Sequence, residues 1–432
     1  MAEYPIIEIH RDGDWIPAAH IEPLGDEHAR VEYLPDYVFG RSDPWPVSLT
    51  LPVRLTVDSG LEPKPRMPAF LYDLVPQGQG RQLLIQLLDL RDRDGLALPL
   101  LWRGAFNPIG ALRIDQAVEF QAEHARRNPP PVEAETGFSF RELANRHEAV
   151  VEYLATHSML AAGTTGVQGV APKFLLAMDE EGRFHPDLAL DDSQACSHWL
   201  VKGPRGRHPD DELILRTEAA YLRLAAECGL NVHAPDRIER LGRWLLLPRF
   251  DRTVAEHGVQ RLHQESLASL AGLQGFGVPT TLNRLLEVLR HHSDDPHADT
   301  LEFLKRDILN RALRNTDNHA RNHAVQRRTD GSIRLTPLFD FAPMFRDPEL
   351  IVRTLHWVDS GGRVLREWSD ILENLAMDDA ERQALQRSLR TWSETVGTLA
   401  ERAARTGVDD DIVEACRSSI DAQAESLAKL GH

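Results

Sequence analysis

The chain has 432 residues, of which 42% are hydrophobic and 27% are charged, and its formal net charge is −17. This length allows two or three domains with a large core, and the composition is typical of a globular protein and not of a disordered one. The acidic balance repels nucleic-acid phosphates, which argues against direct nucleic-acid binding outside a local basic patch.

The cysteines bear on the compartment. Cys196, Cys228 and Cys416 are scattered along the chain, so they suggest neither a disulfide framework nor a metal site and favour a reducing cytoplasm. Residues 1–5 lack the basic and apolar regions of a signal peptide, and the most apolar run, residues 96–102, is far too short to span a bilayer. The sequence therefore predicts a cytoplasmic protein with no membrane partner.

Residues 1 to about 115 are predicted to form mainly strands and turns. Residues 6–10 and 15–18 flank an Arg-Asp-Gly-Asp turn, which indicates a hairpin, and residues 47–57 alternate like another strand. A short helical pattern covers 82–90, and the proline-rich stretch 126–135 is typical of a linker.

Helices and strands alternate between residues 136 and about 250. A helix is predicted over 138–158 and a second, amphipathic one over 211–228, which Gly229 ends. A glycine-rich loop covers 161–173. The predicted strands are residues 174–178, 197–202 and 243–248.

Beyond residue 255 nearly every segment has the 3.6-residue period of an amphipathic helix. The clearest helical patterns are 301–313, 368–377, 379–406 and 409–430. The sequence thus predicts a half that contains strands, followed by a helical half.

One pair of motifs points to chemistry. Residues 315–322 read Asn-Thr-Asp-Asn-His-Ala-Arg-Asn, and residues 337–342 read Pro-Leu-Phe-Asp-Phe-Ala. Protein kinases carry this order: Asp317 would orient the attacking hydroxyl, while Asn322 and Asp340 would hold Mg²⁺ against the triphosphate. Asp-x₄-Asn also arises by chance, and Asn and Asp favour turns, so the remaining kinase parts decide.

Those parts can be found in order. The loop 163–173 has glycines that let backbone N–H groups approach phosphate, although a plain turn is the alternative. Lys202 ends a strand, as the phosphate-binding lysine of kinases does, and Glu218 on the following helix is its possible partner. A surface lysine and an edge glutamate fit the sequence equally well. Residues 244–252 are an apolar strand with a charged end, either a nucleotide-binding hinge or a core strand.

Taken together, these stretches resemble the HipA family of serine/threonine kinase toxins over nearly the whole chain. The matching segments are residues 48–52, 73–78, 110–114, 169–173, 201–202, 217–232, 249–252, 263–265, 315–322 and 339–344. The resemblance implies an α+β, two-lobed, protein-kinase-like fold. Its parts would be a β-rich N-terminal subdomain over 1–125, the rest of the N-lobe over 136–252, and an all-helical C-terminal lobe over 253–432.

The resemblance also implies a function. It implies ATP and Mg²⁺ as cofactors, and phosphorylation of a protein substrate, often an aminoacyl-tRNA synthetase, with growth arrest as the result. A helix-turn-helix antitoxin is the implied partner, so that DNA would be reached only through the antitoxin.

The site residues carry over one by one. Asp317 is similar to the catalytic aspartate, and Asn322 and Asp340 to the metal ligands. The residues that match the family's ATP-binding positions are Gly166, Val167, Gly169, Lys202, Arg249, Phe250, Asp251, His319 and Phe339.

The loop departs from the family pattern. The family's loop serine, which is autophosphorylated to inactivate the kinase, is replaced here by Gly166, with Thr164 and Thr165 just upstream. Self-modification is therefore shifted to a threonine or absent. Ala171 stands where the family usually has a glutamine before the loop's lysine. Pro248 stands where the family commonly has an acidic hinge residue.

Three functions compete at this stage. The first is a protein kinase toxin, and the second is a small-molecule kinase that shares Asp-x₄-Asn. The third is a catalytically weak co-repressor that acts by binding an antitoxin. The intact set of Asp317, Asn322, Asp340 and Lys202 favours an active enzyme, because an inactive kinase would be expected to lose at least one of them.

Overall fold

A computed structural model of the chain describes residues 4–55, 64–128, 136–139, 141–142, 173–255 and 258–431. The chain divides into two compact units that alternate along the sequence. The first unit contains Met1–Arg205, Leu241–Val278 and Gln326–Thr329, and the second contains Gly206–Arg240, Pro279–Val325 and Asp330–His432. These units follow spatial contacts, and the domain boundaries at residues 125, 136 and 252 stay predictions.

The secondary-structure elements of the described residues are numbered here in chain order. The strands are β1 Ile6–Arg11, β2 Asp14–Gly25, β3 His28–Tyr33, β4 Leu112–Ile114, β5 Lys173–Met178, β6 Phe184–Pro186, β7 Ser197–Lys202, β8 Glu239–Leu241, β9 Trp244–Pro248, β10 Arg252–Ala255, β11 Gly258–Arg261, β12 Gln264–Ser266, β13 Ala324–Arg327, β14 Ile333–Leu335, β15 Trp357–Val358 and β16 Val364–Leu365. The helices are α1 Pro35–Phe39, α2 Leu71–Leu74, α3 Gly78–Leu87, α4 Ala97–Gly104, α5 Asp115–Arg127, α6 Pro209–Glu227, α7 Leu267–Leu270, α8 Leu282–His292, α9 Pro296–Ala312, α10 Trp368–Glu373, α11 Asp379–Gly397, α12 Leu399–Arg405 and α13 Asp410–Ala428.

The first unit begins with an antiparallel sheet of strand order β3-β2-β1-β4. The hairpin predicted around residues 11–14 is confirmed, with β1 paired to β2 and with positive φ angles at Asp12 and Gly13. Asp and Gly tolerate this left-handed backbone, which matches the twist of the flanking strands. One face of the sheet packs on α4 and α5, and the fully buried members of this core include Ile7, Ile9, Ile21 and Ile114.

The strand predicted over residues 47–57 is wrong for the described part, residues 47–55, where the only pairing is an isolated bridge between Ser48 and Leu51. Pro46 and Pro52 remove backbone donors at both ends of the alternating pattern. The predicted helix 82–90 exists but begins four residues earlier, as α3. The linker prediction for 126–135 falls mostly outside the described residues, and α5 extends to Arg127.

A second sheet in the first unit contains the order β6-β5-β7-β9. The three strands predicted over residues 174–178, 197–202 and 243–248 are confirmed as β5, β7 and β9. Aromatic side chains of this sheet build a separate core, in which Phe174 lies against Trp244 and Phe184 against Trp199. The helix predicted over 138–158 lies almost wholly outside the described residues.

The second unit is mostly helical. The helix predicted over 211–228 is confirmed as α6, which His208 caps at its N-terminus and which Gly229, with φ of 82°, follows. The helix predicted over 301–313 begins earlier, at Pro296, because Asp295 caps it. The long pattern 379–406 is divided at Thr398 into α11 and α12.

The predicted fold class, α+β, is confirmed, with one refinement. The strands β11 to β16 all lie within residues 253–432, so the prediction that this range is entirely helical is wrong. The boundary between the two units falls within β8 and within β13.

A buried carboxylate holds the irregular segment 47–51 in the first unit. Glu265, in the middle of β12, accepts hydrogen bonds from Ser48 Oγ at 2.7 Å, the N–H of Leu49 at 2.8 Å and Ser269 Oγ at 2.6 Å. These long-range bonds replace a β ladder, which explains why an alternating sequence forms no strand here. The neighbouring Ser266 binds Asp73 in the same way, through its N–H at 2.9 Å and its hydroxyl at 2.8 Å.

We predict that Glu265→Gln removes part of the pH dependence of stability. The pKa of Glu265 is raised from 4.5 to about 7, mainly by burial and with a contribution from the Asp73 charge, against hydrogen bonds that lower it. Between these two values the folded state binds more protons than the unfolded chain, so this group lowers the free energy of unfolding as pH rises, by up to about 3 kcal/mol. Urea unfolding from about pH 5 to about pH 8 measures the effect.

The control for this variant is Glu181→Gln, an exposed acid in the same unit. The wild-type protein and the control should lose more stability over the pH range than Glu265→Gln does. Identical pH profiles for Glu265→Gln and the wild type would show that Glu265 is ionised in the folded protein throughout.

Candidate functional site

The loop that carries the Asp-x₄-Asn motif begins where α9 ends, in the second unit. Arg314 has a φ of 55°, so the chain leaves the helical path directly after α9. The next residue, Asn315, is buried, and its amide nitrogen donates to Asn310 Oδ1 at 2.9 Å and to the carbonyl of Asp340 at 3.4 Å. One asparagine thus joins the helix end, the loop and the segment of the second aspartate.

Asn322 closes the loop from its other end. Its backbone N–H donates to the carbonyl of His319 at 2.9 Å in a short 3₁₀ turn, and its side-chain nitrogen donates to the carbonyl of Asp317 at 2.8 Å. Within the part of the chain that the structure describes, Asn322 Oδ1 is buried and accepts no hydrogen bond. A buried amide oxygen without a donor has the character of a ligand for a hard cation such as Mg²⁺.

Asp340 has an unusual backbone conformation, with a φ of 50° in the left-handed region. Asp and Asn adopt this region more readily than other side chains that have a Cβ, and such residues cluster at functional sites. The neighbouring Phe341 is buried against the ring of Tyr221, 5.2 Å away, whereas Asp340 itself is half-buried. The core therefore fixes the backbone beside a carboxylate that solvent can reach.

The predicted catalytic and metal residues of the second unit lie in these two tied segments. Asp317, His319, Phe339 and Asp340 are all half-buried. No group of three His, Cys, Asp or Glu side chains in the described ranges could hold a metal by itself. A cation held here would therefore use the Asn322 amide, a carboxylate and oxygens from a ligand.

In the first unit, Lys202 ends β7 and is buried. In the antiparallel pairing of β5 with β7, Lys202 stands directly opposite Lys173, which is also buried. Opposite residues in such a pair project to the same face, and two like charges there are unfavourable unless anionic groups accompany them. The sequence analysis missed Lys173 as a candidate, because only the strand register shows that the two lysines are neighbours.

Arg249 and Asp251, predicted at the nucleotide hinge, have buried side chains within the first unit. Arg249 donates to Asp187 at 2.8 Å and to both oxygens of Asp251, at 2.9 and 2.6 Å. Asp251 also accepts from the N–H of Gly110 at 2.8 Å and from Arg252.

Other polar groups extend this buried network. Asp187 accepts from Asn107 at 2.7 Å and lies 2.6 Å from Nδ1 of His198. Burial alone would raise the pKa of Asp187, but Arg249 and His198 hold it well below its usual range. Both aspartates are thus ionised, and their charges stabilise the buried guanidinium groups. The backbone carbonyl of Phe250, between Arg249 and Asp251, also accepts a hydrogen bond, from Gln326 Nε2 at 3.0 Å.

The remaining site predictions cannot be compared with the structure in the same way. Thr164, Thr165, Gly166, Val167 and Gly169 lie outside the described residues. Glu218, the possible partner of Lys202, is buried on α6 of the second unit.

Over the described ranges, no helix combines the length and the apolar character that a membrane crossing requires.

Two protein-family models match the chain. The model of the HipA N-terminal domain matches residues 14–115, and the model of the HipA-like C-terminal domain matches residues 165–416. The second match alone covers more than half of the chain, and it includes Lys173, Lys202, Asp317, Asn322 and Asp340.

Individual proteins are also similar. The protein named "Putative kinase Y4mE" of Sinorhizobium fredii is 28% identical over 340 residues, which are 73% of this chain and 74% of that protein. A chain from the Shewanella oneidensis MR-1 toxin–antitoxin complex of HipA, HipB and operator DNA has a TM-score of 0.65 at 19% identity. That alignment covers 97% of this chain and 96% of the other, and it shows a shared fold.

We predict that Arg249→Met strongly destabilises the protein. The substitution leaves Asp187 and Asp251 buried without the guanidinium that neutralises them, which costs about 3–5 kcal/mol for a broken buried ion pair. Urea unfolding measures the loss. Arg81→Met is the matched control, since Arg81 pairs with the exposed Asp92 at 2.7 Å and should contribute less than about 1 kcal/mol. Equal effects of the two variants would contradict a structural role for the Arg249 network.

Proposed function

Because this chain belongs to the HipA family, we propose that it is an ATP-dependent serine/threonine kinase that phosphorylates a protein. The observation that carries the proposal is the loop in which Asn322 binds the carbonyl of Asp317 and Asn315 binds the carbonyl of Asp340. These bonds fix the backbone at both acids and the side chain of Asn322, whose amide oxygen accepts no hydrogen bond within the described residues. It is the donor set that phosphoryl transfer uses.

The residues present fit a magnesium ion. Asn322 Oδ1 is buried without a hydrogen-bond donor among the described residues, and the Asp340 carboxylate is half-buried beside a fixed backbone. We assign Asn322 and Asp340 as the ligands, both of which supply the hard oxygen atoms that Mg²⁺ prefers. When bound, Mg²⁺ neutralises charge on the phosphates and orients them.

Asp317 is proposed as the group that orients the substrate hydroxyl and accepts its proton. Its backbone carbonyl is held by Asn322, so its position follows that of the metal ligand. Positioning of this kind accounts for most of the catalysis in phosphoryl transfer, which needs little covalent help from the protein.

Lys202 and Lys173 are proposed to bind the phosphates of ATP. Their opposed positions on β5 and β7 put two buried amines on one face of the sheet, where a polyphosphate would reduce their repulsion. His319 and Phe339 stay proposed as neighbours of the nucleotide. For Arg249 and Asp251 we propose a supporting role, because their side chains bind each other, Asp187 and Gly110.

The biological role follows from the family. We propose that the chain is the toxin of a toxin–antitoxin pair and arrests growth by phosphorylating a host protein, an aminoacyl-tRNA synthetase being one candidate. The neighbour in fold that was solved with HipB and operator DNA supports a helix-turn-helix antitoxin as partner. The net charge of −17 favours contact with DNA through that partner. A cytoplasmic location fits an enzyme that consumes ATP.

The proposed activity is tested with Asp317→Asn. This substitution keeps the shape of the side chain but removes the base, so transfer of labelled phosphate from ATP should fall by about 10²–10⁴-fold. Thermal unfolding should stay close to that of the wild type. Expression of the wild type, but not of the variant, should arrest bacterial growth.

Near-normal turnover of Asp317→Asn would exclude Asp317 from the mechanism. Transfer to a small molecule but to no protein would favour a small-molecule kinase. No transfer by the wild type, together with tight antitoxin binding, would favour a co-repressor.

Calorimetry of ATP binding should separate the metal ligands from the lysines. Asn322→Ala and Asp340→Asn should weaken binding only in the presence of Mg²⁺, because they remove ligand oxygens. Lys173→Met should weaken binding both with Mg²⁺ and with EDTA, because it removes a charge that faces the phosphates directly. Lys64→Met, an exposed lysine of the same unit, is the control. Equal losses with and without Mg²⁺ for Asn322→Ala would contradict the metal assignment.

A further inference from the structure

Asp307 is a buried carboxylate on α9 that the proposed mechanism does not use. Its Oδ1 accepts from the Arg353 guanidinium and, at 3.5 Å, from Asn318 Nδ2. Its Oδ2 accepts from Trp357 Nε1 at 2.8 Å and pairs with Arg311 at 3.0 Å. Burial would raise the pKa of Asp307, but Arg353 and Arg311 lower it, so the carboxylate is ionised.

Asn318 links this carboxylate to the loop of residues 315–322, the proposed catalytic loop, because it directly follows Asp317. The residue is 2% exposed, and its side chain lies between two partners. The amide nitrogen faces Asp307, and the amide oxygen lies 2.7 Å from Nε2 of His323. An amide oxygen can only accept, so His323 Nε2 is the donor of this bond.

His323 is itself fixed against α9, since its ring packs on Phe303 with centroids 4.9 Å apart. Asn318 therefore cannot turn without losing a bond on each side. Its fixed side chain restrains the backbone of the neighbouring Asp317.

Arg353 and Trp357 belong to the chain that follows Asp340. Arg353 Nε donates to the carbonyl of Leu355 at 2.9 Å, and His356 Nε2 lies 3.1 Å from the carbonyl of Arg353. Trp357 is fully buried, and its ring lies 6.1 Å from that of Phe303. The segment 353–357 is thus braced internally and meets α9 at Asp307.

We propose that Asp307 is a positioning residue that couples the segment 353–357 to the catalytic loop through Asn318. Arg353 holds the Asp307 carboxylate, Asp307 holds Asn318, and Asn318 sets the backbone at Asp317. A shift of the segment would therefore change the position of Asp317. The consequence for phosphoryl transfer rests on the proposed function, whereas the coupling itself does not.

The coupling predicts different effects on chemistry and on nucleotide binding. Without Arg353, Asp307 Oδ2 keeps its partners Arg311 and Trp357. Oδ1, the oxygen that Asn318 contacts, loses its guanidinium partner. A small displacement of the base lowers kcat by about 10- to 100-fold. Affinity for a non-hydrolysable ATP analogue should change by less than about twofold, because the two lysines and the Mg²⁺ ligands remain.

The experiment compares Arg353→Met with Arg334→Met. Arg334 binds another buried aspartate of the same helix, Asp299, at 2.9 and 3.2 Å. The other partners of Asp299 are Ser293 Oγ and the N–H of Leu335. Both variants thus remove an arginine from a buried carboxylate of α9, but only one of these carboxylates contacts the catalytic loop. Hydrogen–deuterium exchange of residues 315–323, kcat and analogue affinity are measured for each.

Exchange in residues 315–323 should be faster in Arg353→Met than in Arg334→Met, and kcat should fall only in the first variant. Arg353→Lys should restore part of both, and Asn318→Ala should reproduce the effect from the loop side even if Arg353→Met unfolds. The coupling would be overturned if residues 315–323 exchanged equally fast in the two arginine variants and no faster in Asn318→Ala than in the wild type. A wild type without phosphate transfer would refute the kinase proposal, and the exchange comparison would still decide the coupling.

Discussion

The organisation of the first unit depends on one guanidinium held between two buried carboxylates. Arg249 joins Asp187, which follows β6, to Asp251, which follows β9, and Asp251 in turn holds the N–H of Gly110 just before β4. The N-terminal sheet and the sheet that carries Lys202 are thereby attached to the same ionic cluster. Because each carboxylate is desolvated, the geometry of the cluster is strict, and its value lies in fixing one arrangement more than in adding stability.

The second unit fixes its loop by different means. Asn315, Asn318 and Asn322 use neutral amides to connect the loop to α9, to Asp340 and to Asp317. Asn315 and Asn322 donate to their partners, and Asn318 both donates and accepts, so the loop is held without added charge. Two acids, a cation and phosphates are proposed to meet at this loop. Because the neutral amides add no net charge, the local electric field is set by the groups proposed to take part in the chemistry.

Local patterns predicted the local structure well. The turn at Asp12-Gly13, the strands β5, β7 and β9, and the end of α6 at Gly229 all follow from residues within a few positions of one another. The loop motif also placed Asp317 and Asp340 in the same unit. What the sequence could not show depends on contacts between distant residues.

Two findings illustrate this limit. Lys173 became a candidate only when the strand register placed it opposite Lys202, which is 29 positions later in the sequence. The irregular segment after Val47 depends on Glu265, whose bonds to it span more than 200 residues. The hydrophobic alternation there predicted a strand, because alternation reports burial of every second side chain and not the hydrogen-bond partner of the backbone.

The left-handed backbone at Asp340 has an evolutionary consequence. Among side chains with a Cβ, asparagine tolerates this conformation about as well as aspartate, and one nucleotide change converts an aspartate codon into an asparagine codon. The charge of the proposed metal ligand is therefore separable from the fold by a single mutational step. A form of this protein that keeps its fold and surface but lacks the Asp340 charge can therefore arise by one mutation at this position.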